Sequence, residues 1–266
     1  MSDFISNGLD QAVARAASAL LARQQGDGHW VFELEADATI PAEYILLQHY
    51  LGEIDDALQS ELAHYLRTIQ SAAHGGWPLF HGGAPDLSAT IKAYFALKAA
   101  GDKEDAPHMA RAREVILAAG GTANANVFTR IQLALFGELP WDAVPVMPVE
   151  IMLLPRWFPF HLAKISYWSR TVIVPLLVLM ALKPRARNPR GITVPELLAR
   201  EGKAAPPRPQ GSFWASFFTG LDRVLRRIEP WFPKGLRQRA IDRAVAFVRL
   251  RLNGEDGLGA IYPAMA

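Results

Sequence analysis

The sequence predicts an all-α fold, and within that class an α/α toroid: helical hairpins stacked side by side into an incomplete barrel. Three observations carry the prediction. The 266-residue chain is dominated by Ala-, Leu-, Arg- and Glu-rich segments with apolar residues at helical spacing, and alternating β-branched runs are missing. Gly and Pro punctuate those segments. A compound motif also recurs: a helix ending in Gln, a tight turn, a Trp, a polar loop, then a second helix closing on Gly.

The copies of this motif give the elements in order. Residues 15–30, "RAASALLARQQGDGHW", place Gln24 before the turn and Trp30 after it. Residues 61–77, "ELAHYLRTIQSAAHGGW", do the same with Gln70 and Trp77, and the two Trp are 47 positions apart. The second helices are "PAEYILLQHYLG", closing on Gly52, and "LSATIKAYFALKAAG", closing on Gly101. Fainter copies run from "RAREVILAAGG" (111–121) into "NVFTRIQLALFG" (126–137). In "RAVAFVRLRLNGEDGLG" (243–259), Leu252 and Leu258 stand where Gln and Trp would be. A two-helix unit of this period is the mark of stacked hairpins, each burying its apolar face on the next. The Gln amide is expected to satisfy open carbonyls of a helix end or open N–H groups of the next helix, with the Trp ring covering it.

Three regions follow: an N-terminal α/α repeat region (1–182), a Pro/Arg-rich loop (183–212), and an amphipathic helix with a further, truncated repeat of the same toroid (213–266). "VIVPLLVLMAL" (172–182) is an apolar run of 11 residues. That is too short to span a bilayer and reads as a buried helix bent at Pro175. The six Pro of residues 183–212 exclude a long helix, leaving an ordered surface loop or a hinge. In "GSFWASFFTGLDRVLRRIEPWFP" (211–233), Trp214, Phe217, Phe218, Leu221, Leu225 and Ile228 form one stripe at helical spacing, with Asp222, Arg223, Arg226 and Arg227 on the other side. Aromatic residues on one face and Arg beside them suit a helix lying in a membrane interface. The chain closes at "IYPAMA" partway through a unit, so the repeat array reads as unfinished.

Charge supports the same partner. Residues 1–182 carry 12 Lys/Arg against 19 Asp/Glu, whereas residues 183–251 carry 16 against 5. A basic segment in a chain of net charge +2 points to an anionic surface. Lipid is favoured over nucleic acid, because no groove-reading motif accompanies the basic residues. The absence of Cys excludes disulfides, thiolate metal sites and Cys nucleophiles. The N-terminus "MSDFISNGLD" has neither the basic start nor the apolar run of a signal peptide. The seven His show no metal-binding spacing, and no phosphate-binding Gly loop or G-x-S-x-G motif is present. The acidic clusters Glu33, Glu35, Asp37 and Glu53, Asp55, Asp56 fall at loop-to-helix junctions, where carboxylates cap N–H groups. The aromatic segment 147–177 is either the wall of a cavity for a greasy ligand or part of the core.

The Gln-turn-Trp repeats, with "AEYILLQHYLG", "PDLSATIKAYFALKAAG", "VFTRIQLALFGELPW" and "TVPELL", resemble the N-terminal part of a squalene–hopene cyclase. The resemblance runs over essentially the whole chain. It implies two α/α toroids in the complete enzyme and a monotopic, peripheral seat on the cytoplasmic face of the cell membrane. The implied reaction cyclises squalene to hopene or a hopanol with no cofactor and no metal. An Asp in an Asp-x-Asp-Asp run protonates a terminal alkene, and aromatic faces stabilise the successive cations. By the resemblance, Trp168, Phe128 and Ile261 shape the substrate cavity, and Ile165 and Ile173 form the constriction of its access channel. The stripe Trp214, Phe217, Phe218 and Leu221 meets the membrane, and Gln24, Trp30, Gln70 and Trp77 are structural. No Asp-x-Asp-Asp occurs in the chain, and "EIDD" only loosely mimics it. The implied protein is therefore an N-terminal or split portion, inactive alone. Its partners are a squalene-like isoprenoid, a lipid surface, and either the C-terminal half of the cyclase or a second copy; nucleic acid is not among them. A second reading is a non-catalytic, membrane-associated isoprenoid-binding module. A third is a soluble carbohydrate enzyme using Glu33, Asp37 or Asp86.

Overall fold

The computed structural model describes residues 2–30, 37–198, 213–228 and 231–252, with side chains described at all of these except 2–7, 213–219 and 221. Among the described residues every regular element is helical and none is a strand. The chain divides into two compact units, residues 1–36 and 37–266. The first contains helix α1 (Ser2–Leu21), which stops before Gln24; the Gln belongs to the turn.

In the second unit, burial sorts the helices into two layers. The inner helices are α2 (Thr39–Leu51), α4 (Leu87–Ala99) and α6 (Val127–Phe136). Eleven of the thirteen residues of α4 are buried, so it is enclosed on nearly every side. The outer helices α3 (Asp56–Thr68) and α5 (Pro107–Ala118) each bury a single stripe: Gln59, Ala63 and Leu66 on α3, and Met109, Ala112 and Ile116 on α5. One stripe per outer helix and an all-round apolar inner helix is the division an α/α toroid requires. The inner layer closes with Phe95 of α4 edge-on to Phe136 of α6, their ring centroids 5.0 Å apart.

Helix ends follow local rules. Asp55 accepts from the N–H groups of Ala57 and Leu58 to cap α3, and Asp86 caps α4 through Ala89 N–H at 2.7 Å. Asp37 accepts from Thr39 N–H ahead of α2. Gly52 and Gly137, at φ 69° and 81°, end α2 and α6 in the left-handed conformation that a side chain would strain.

One buried ion pair crosses the inner layer. Lys92 Nζ of α4 donates to Glu43 Oε1 of α2 at 2.5 Å, with both side chains 3 % exposed or less. Burial pushes the Lys92 ammonium below its ordinary range, and the Glu43 charge opposes that shift.

Residues 183–198 form a strap across the C-terminal ends of the inner helices. Ala186 N–H donates to Leu135 O at 2.8 Å, and Arg187 and Asn188 N–H donate to Tyr50 and His49 O at 3.0 Å each. Arg187 Nη1 reaches Leu51 O at 2.8 Å, and Arg190 pairs with Asp56 at 2.6 Å. Val194 and Leu197 are buried in the main core. Arg187 and Arg190, which the charge distribution assigned to an external anionic surface, therefore serve helix ends and a carboxylate within the unit.

A second, smaller core joins α7 (Tyr167–Leu182), α9 (Lys234–Arg249) and a 3₁₀ turn at Val149–Leu153. Val149, Met152, Val174, Leu177, Ala240, Ile241 and Ala244 fill it. Pro175 sits buried inside α7. Helix α8 (Phe213–Ile228) lies between the strap and α9 in the chain.

Candidate functional site

The two repeat motifs carry the same pair of hydrogen bonds. Trp30 Nε1–H donates to Leu20 O in the last turn of α1 at 2.7 Å, and Trp77 Nε1–H donates to Leu66 O in the last turn of α3 at 2.8 Å. Gln24 Nε2 donates to Gly28 O at 2.7 Å, and Gln70 Nε2 to Gly75 O at 2.6 Å. The helix-end carbonyl is thus taken by the indole, and the amide ties the turn to itself. In the second copy Gln70 also donates to His108 O, in the first turn of α5, at 2.9 Å. That bond joins one hairpin to the next. Trp77 is fully buried, whereas Trp30 is 44 % exposed.

The segment 147–177 is not uniform in its burial. Its ends are core, through Val149, Met152, Val174 and Leu177. Its middle is an exposed aromatic edge: Trp157 is 76 % exposed, Trp168 62 %, and Phe160 and Tyr167 are exposed as well. The rings stand edge-on or tilted in two groups, Trp157–Phe158–Phe160 with centroids 5.9 and 6.1 Å apart, and Tyr167–Trp168 at 6.0 Å. Ser166 caps α7 through Ser169 N–H and so fixes the helix start that carries Trp168. Ile165, half-buried, ends the 3₁₀ turn Leu162–Lys164 just before α7. Ile173, one and a half turns into α7, packs on the smaller core. Phe128, in the first turn of α6, packs on the main core instead. Ile261 lies outside the described residues. Sequence reasoning did not single out Trp157 and Phe160; the signal was present in "RWFPF", where Pro155 and Pro159 deny the aromatics a helix in which to bury.

Helix α8 carries Trp214, Phe217, Phe218 and Leu221, whose side chains lie outside those described. Further along, Ile228 of the same stripe and Val224 beside it are exposed, at 45 % and 52 %. The opposite flank is anchored. Asp222 Oδ1 accepts from Val146 N–H at 2.7 Å, and Arg226 Nη2 donates to Val144 O at 2.9 Å. Asp222 and Arg226 also bond each other at 2.7 Å. Arg226, with Arg237 and Lys183, lines an open cavity of about 540 Å³ whose apolar lining includes Trp141, Met147 and Met180. Arg237 is held there by Glu150 at 2.9 Å. Among the described residues no helix is long and apolar enough to cross a membrane.

Carboxylates respond to their settings as burial and partners dictate. Burial raises the Glu138 carboxyl above its ordinary range, opposed by the Val194 N–H and reinforced by the charge of Glu196. Burial also acts upward on Asp102, but the hydrogen bonds from Arg67 (2.6 and 2.9 Å) and His108 (2.7 Å) outweigh it and hold the group below its ordinary range. Both groups sit in structural networks of helix ends rather than against the aromatic edge.

Comparison with known proteins places this geometry. Residues 13–266 match the family model described as the squalene-hopene cyclase N-terminal domain. A squalene–hopene cyclase of Zymomonas mobilis is 60 % identical over 263 residues, covering 98 % of this chain and 40 % of that protein. The Alicyclobacillus acidocaldarius squalene–hopene cyclase is 36 % identical over 251 residues, covering 94 % of this chain and 39 % of its own length. A dammaradiene synthase of Dryopteris crassirhizoma is 34 % identical over 260 residues, covering 97 % and 38 %. The chain thus spans about two-fifths of the length of the curated relatives it matches. With its inner and outer helices, its repeated indole-to-carbonyl bonds and this match from residue 13 onward, the chain belongs to the squalene–hopene cyclase family as an N-terminal domain.

Proposed function

We propose that this domain forms part of the apolar cavity in which a squalene-like isoprenoid is cyclised to hopene or a hopanol, and that it seats the enzyme on a lipid surface. The observation that carries the cavity reading is the exposed aromatic edge, where Trp157, Phe160, Tyr167 and Trp168 all stand exposed within twelve residues of chain. Aromatic rings offer negative π-faces to a migrating carbocation, and a wall of such rings keeps water from quenching it. On this reading Trp168 and Phe128 face or support the substrate, Ile165 and Ile173 narrow its access, and Ile261 shapes the folded chain.

The acid that starts the cascade comes from another part of the cyclase, because the 266 residues hold no Asp-x-Asp-Asp run. The remaining cyclase, supplied in the same enzyme or as a partner chain, completes the chamber. The lipid seat is α8, a peripheral contact on the cytoplasmic face of the membrane, supported by its exposed Val224 and Ile228 and its flanking Arg223 and Arg227.

The test is direct. The purified chain, incubated with squalene in detergent, is expected to yield no hopene or hopanol by gas chromatography. Product from the chain alone refutes the assignment of the acid elsewhere. Tight squalene binding without turnover instead favours the non-catalytic isoprenoid-binding module.

A further inference from the structure

The flank of α8 opposite its exposed residues shows how that helix is held. Asp222 and Arg226 are four residues apart and bond each other, so they act as one unit on one side of the helix. Together they grip the backbone of residues 144–146 from both directions: the carboxylate accepts Val146 N–H and the guanidinium donates to Val144 O. The gripped partners are main-chain groups in an extended stretch, which leaves little freedom to rotate the helix about its axis. Helical geometry puts 222 and 226 about 100° on from 221 and 225. A grip at that flank fixes the rotation of the helix and with it where the exposed Val224 and Ile228 lie.

We propose that Asp222 and Arg226 are positioning residues that clamp α8 in the rotation needed to lay its apolar stripe on an anionic phospholipid bilayer. The proposal rests on the lipid-seat reading above. The occupant follows from charge: Arg223 and Arg227 are exposed in the last two turns of α8, and the following helix α9 adds Arg239, Arg243 and Arg249. A helix rotated away from its clamp presents that basic flank or its stripe at the wrong depth, and the two attractions no longer act together.

The experiment uses the full chain with two readouts: amide hydrogen exchange along α8 in solution, and co-sedimentation with vesicles of phosphatidylcholine and phosphatidylglycerol. Asp222→Ala is expected to speed exchange across α8 about tenfold and to weaken sedimentation at least threefold, since a charged hydrogen bond and its partner are lost. Asp222→Asn keeps an oxygen for Val146 N–H and is expected to restore most of both. Ile228→Glu is expected to weaken sedimentation while leaving α8 exchange unchanged, which separates lipid contact from clamping. Arg226→Ala removes the donor to Val144 O and serves as the second variant should Asp222→Ala fail to fold. The clamp is overturned if Asp222→Ala or Arg226→Ala exchanges and sediments like the parent chain, or if Asp222→Asn is no better than Asp222→Ala. If the parent chain itself fails to sediment, the lipid-seat reading fails, and the clamp proposal goes with it.

Discussion

Replacing Trp77 by Phe isolates what the repeat motif contributes. The indole is fully buried, and its N–H donates to Leu66 O at 2.8 Å, on a residue that is itself buried. Phe keeps most of the ring but has no donor. The Leu66 carbonyl is then left without its partner where water does not reach, at about 1–3 kcal/mol. The void left by the smaller ring adds about 1 kcal/mol. The sum, about 2–4 kcal/mol, corresponds to a fall in melting temperature of about 4–16 °C for a unit of this size. Trp30→Phe removes the equivalent bond to Leu20 O, but Trp30 is 44 % exposed and water can take the donor's place. Its cost is expected to stay under about 1 kcal/mol. Thermal melts followed by circular dichroism, with amide exchange to report each unit separately, measure both. Equal losses for the two variants, or a Trp77→Phe variant within about 0.5 kcal/mol of the parent, refute the view that the indole serves as a buried helix-end cap.

Other expectations follow from the same geometry. Lys92→Met removes the buried ammonium that faces the Glu43 carboxylate and is expected to cost about 3–5 kcal/mol in urea unfolding, while Lys92→Met with Glu43→Leu recovers most of it. Asp102 is held below its ordinary range, so its contribution is fully present above the unfolded carboxylate pKa near 3.8 and is lost as pH falls through the lower folded value. An Asp102→Asn chain should therefore lose the part of the acid unfolding curve that lies below about pH 4, measured by melting temperature against pH. Gly52→Ala forces a side chain into φ 69° and against Arg187 Cδ at 3.0 Å, and is expected to destabilise by about 1–2 kcal/mol. Arg187→Ala in the same background should remove the contact with Cδ but not that with Cβ at 3.3 Å, nor the backbone strain.

The sequence made legible what is local or periodic. Both Gln-turn-Trp units, the Gly ends of α2 and α6, and the capping roles of Asp37 and Asp55 are decided within a few residues of chain; Asp86, which sequence reasoning offered only as a carbohydrate enzyme's carboxylate, caps α4 by the same local rule. The Glu43–Lys92 pair spans 49 positions and leaves no periodic trace, because each residue alone looks like a solvated charge on a helix. The strap's contacts are hidden for the same reason. Its Arg residues add to a basic total in composition, yet Arg187 and Arg190 reach a carbonyl and a carboxylate more than 130 positions earlier. The grip of Asp222 and Arg226 on residues 144–146 was equally hidden, since its partners are main-chain atoms that any sequence supplies. The aromatic edge was half visible: composition marked the segment, but only the burial of its two ends shows which rings are left outside.

Because the strap bonds main-chain carbonyls of α2, its contacts also set a timetable. The last turn of α2 emerges from the ribosome well before its partner: Leu51 precedes Arg187 by 136 positions. At ordinary rates of synthesis that is a wait of roughly 7 to 27 seconds. Through that interval the end of α2 waits unsealed, and the first hairpins are held by their Asp caps, the Trp77 indole and the packing of α2 on α4 until the strap arrives.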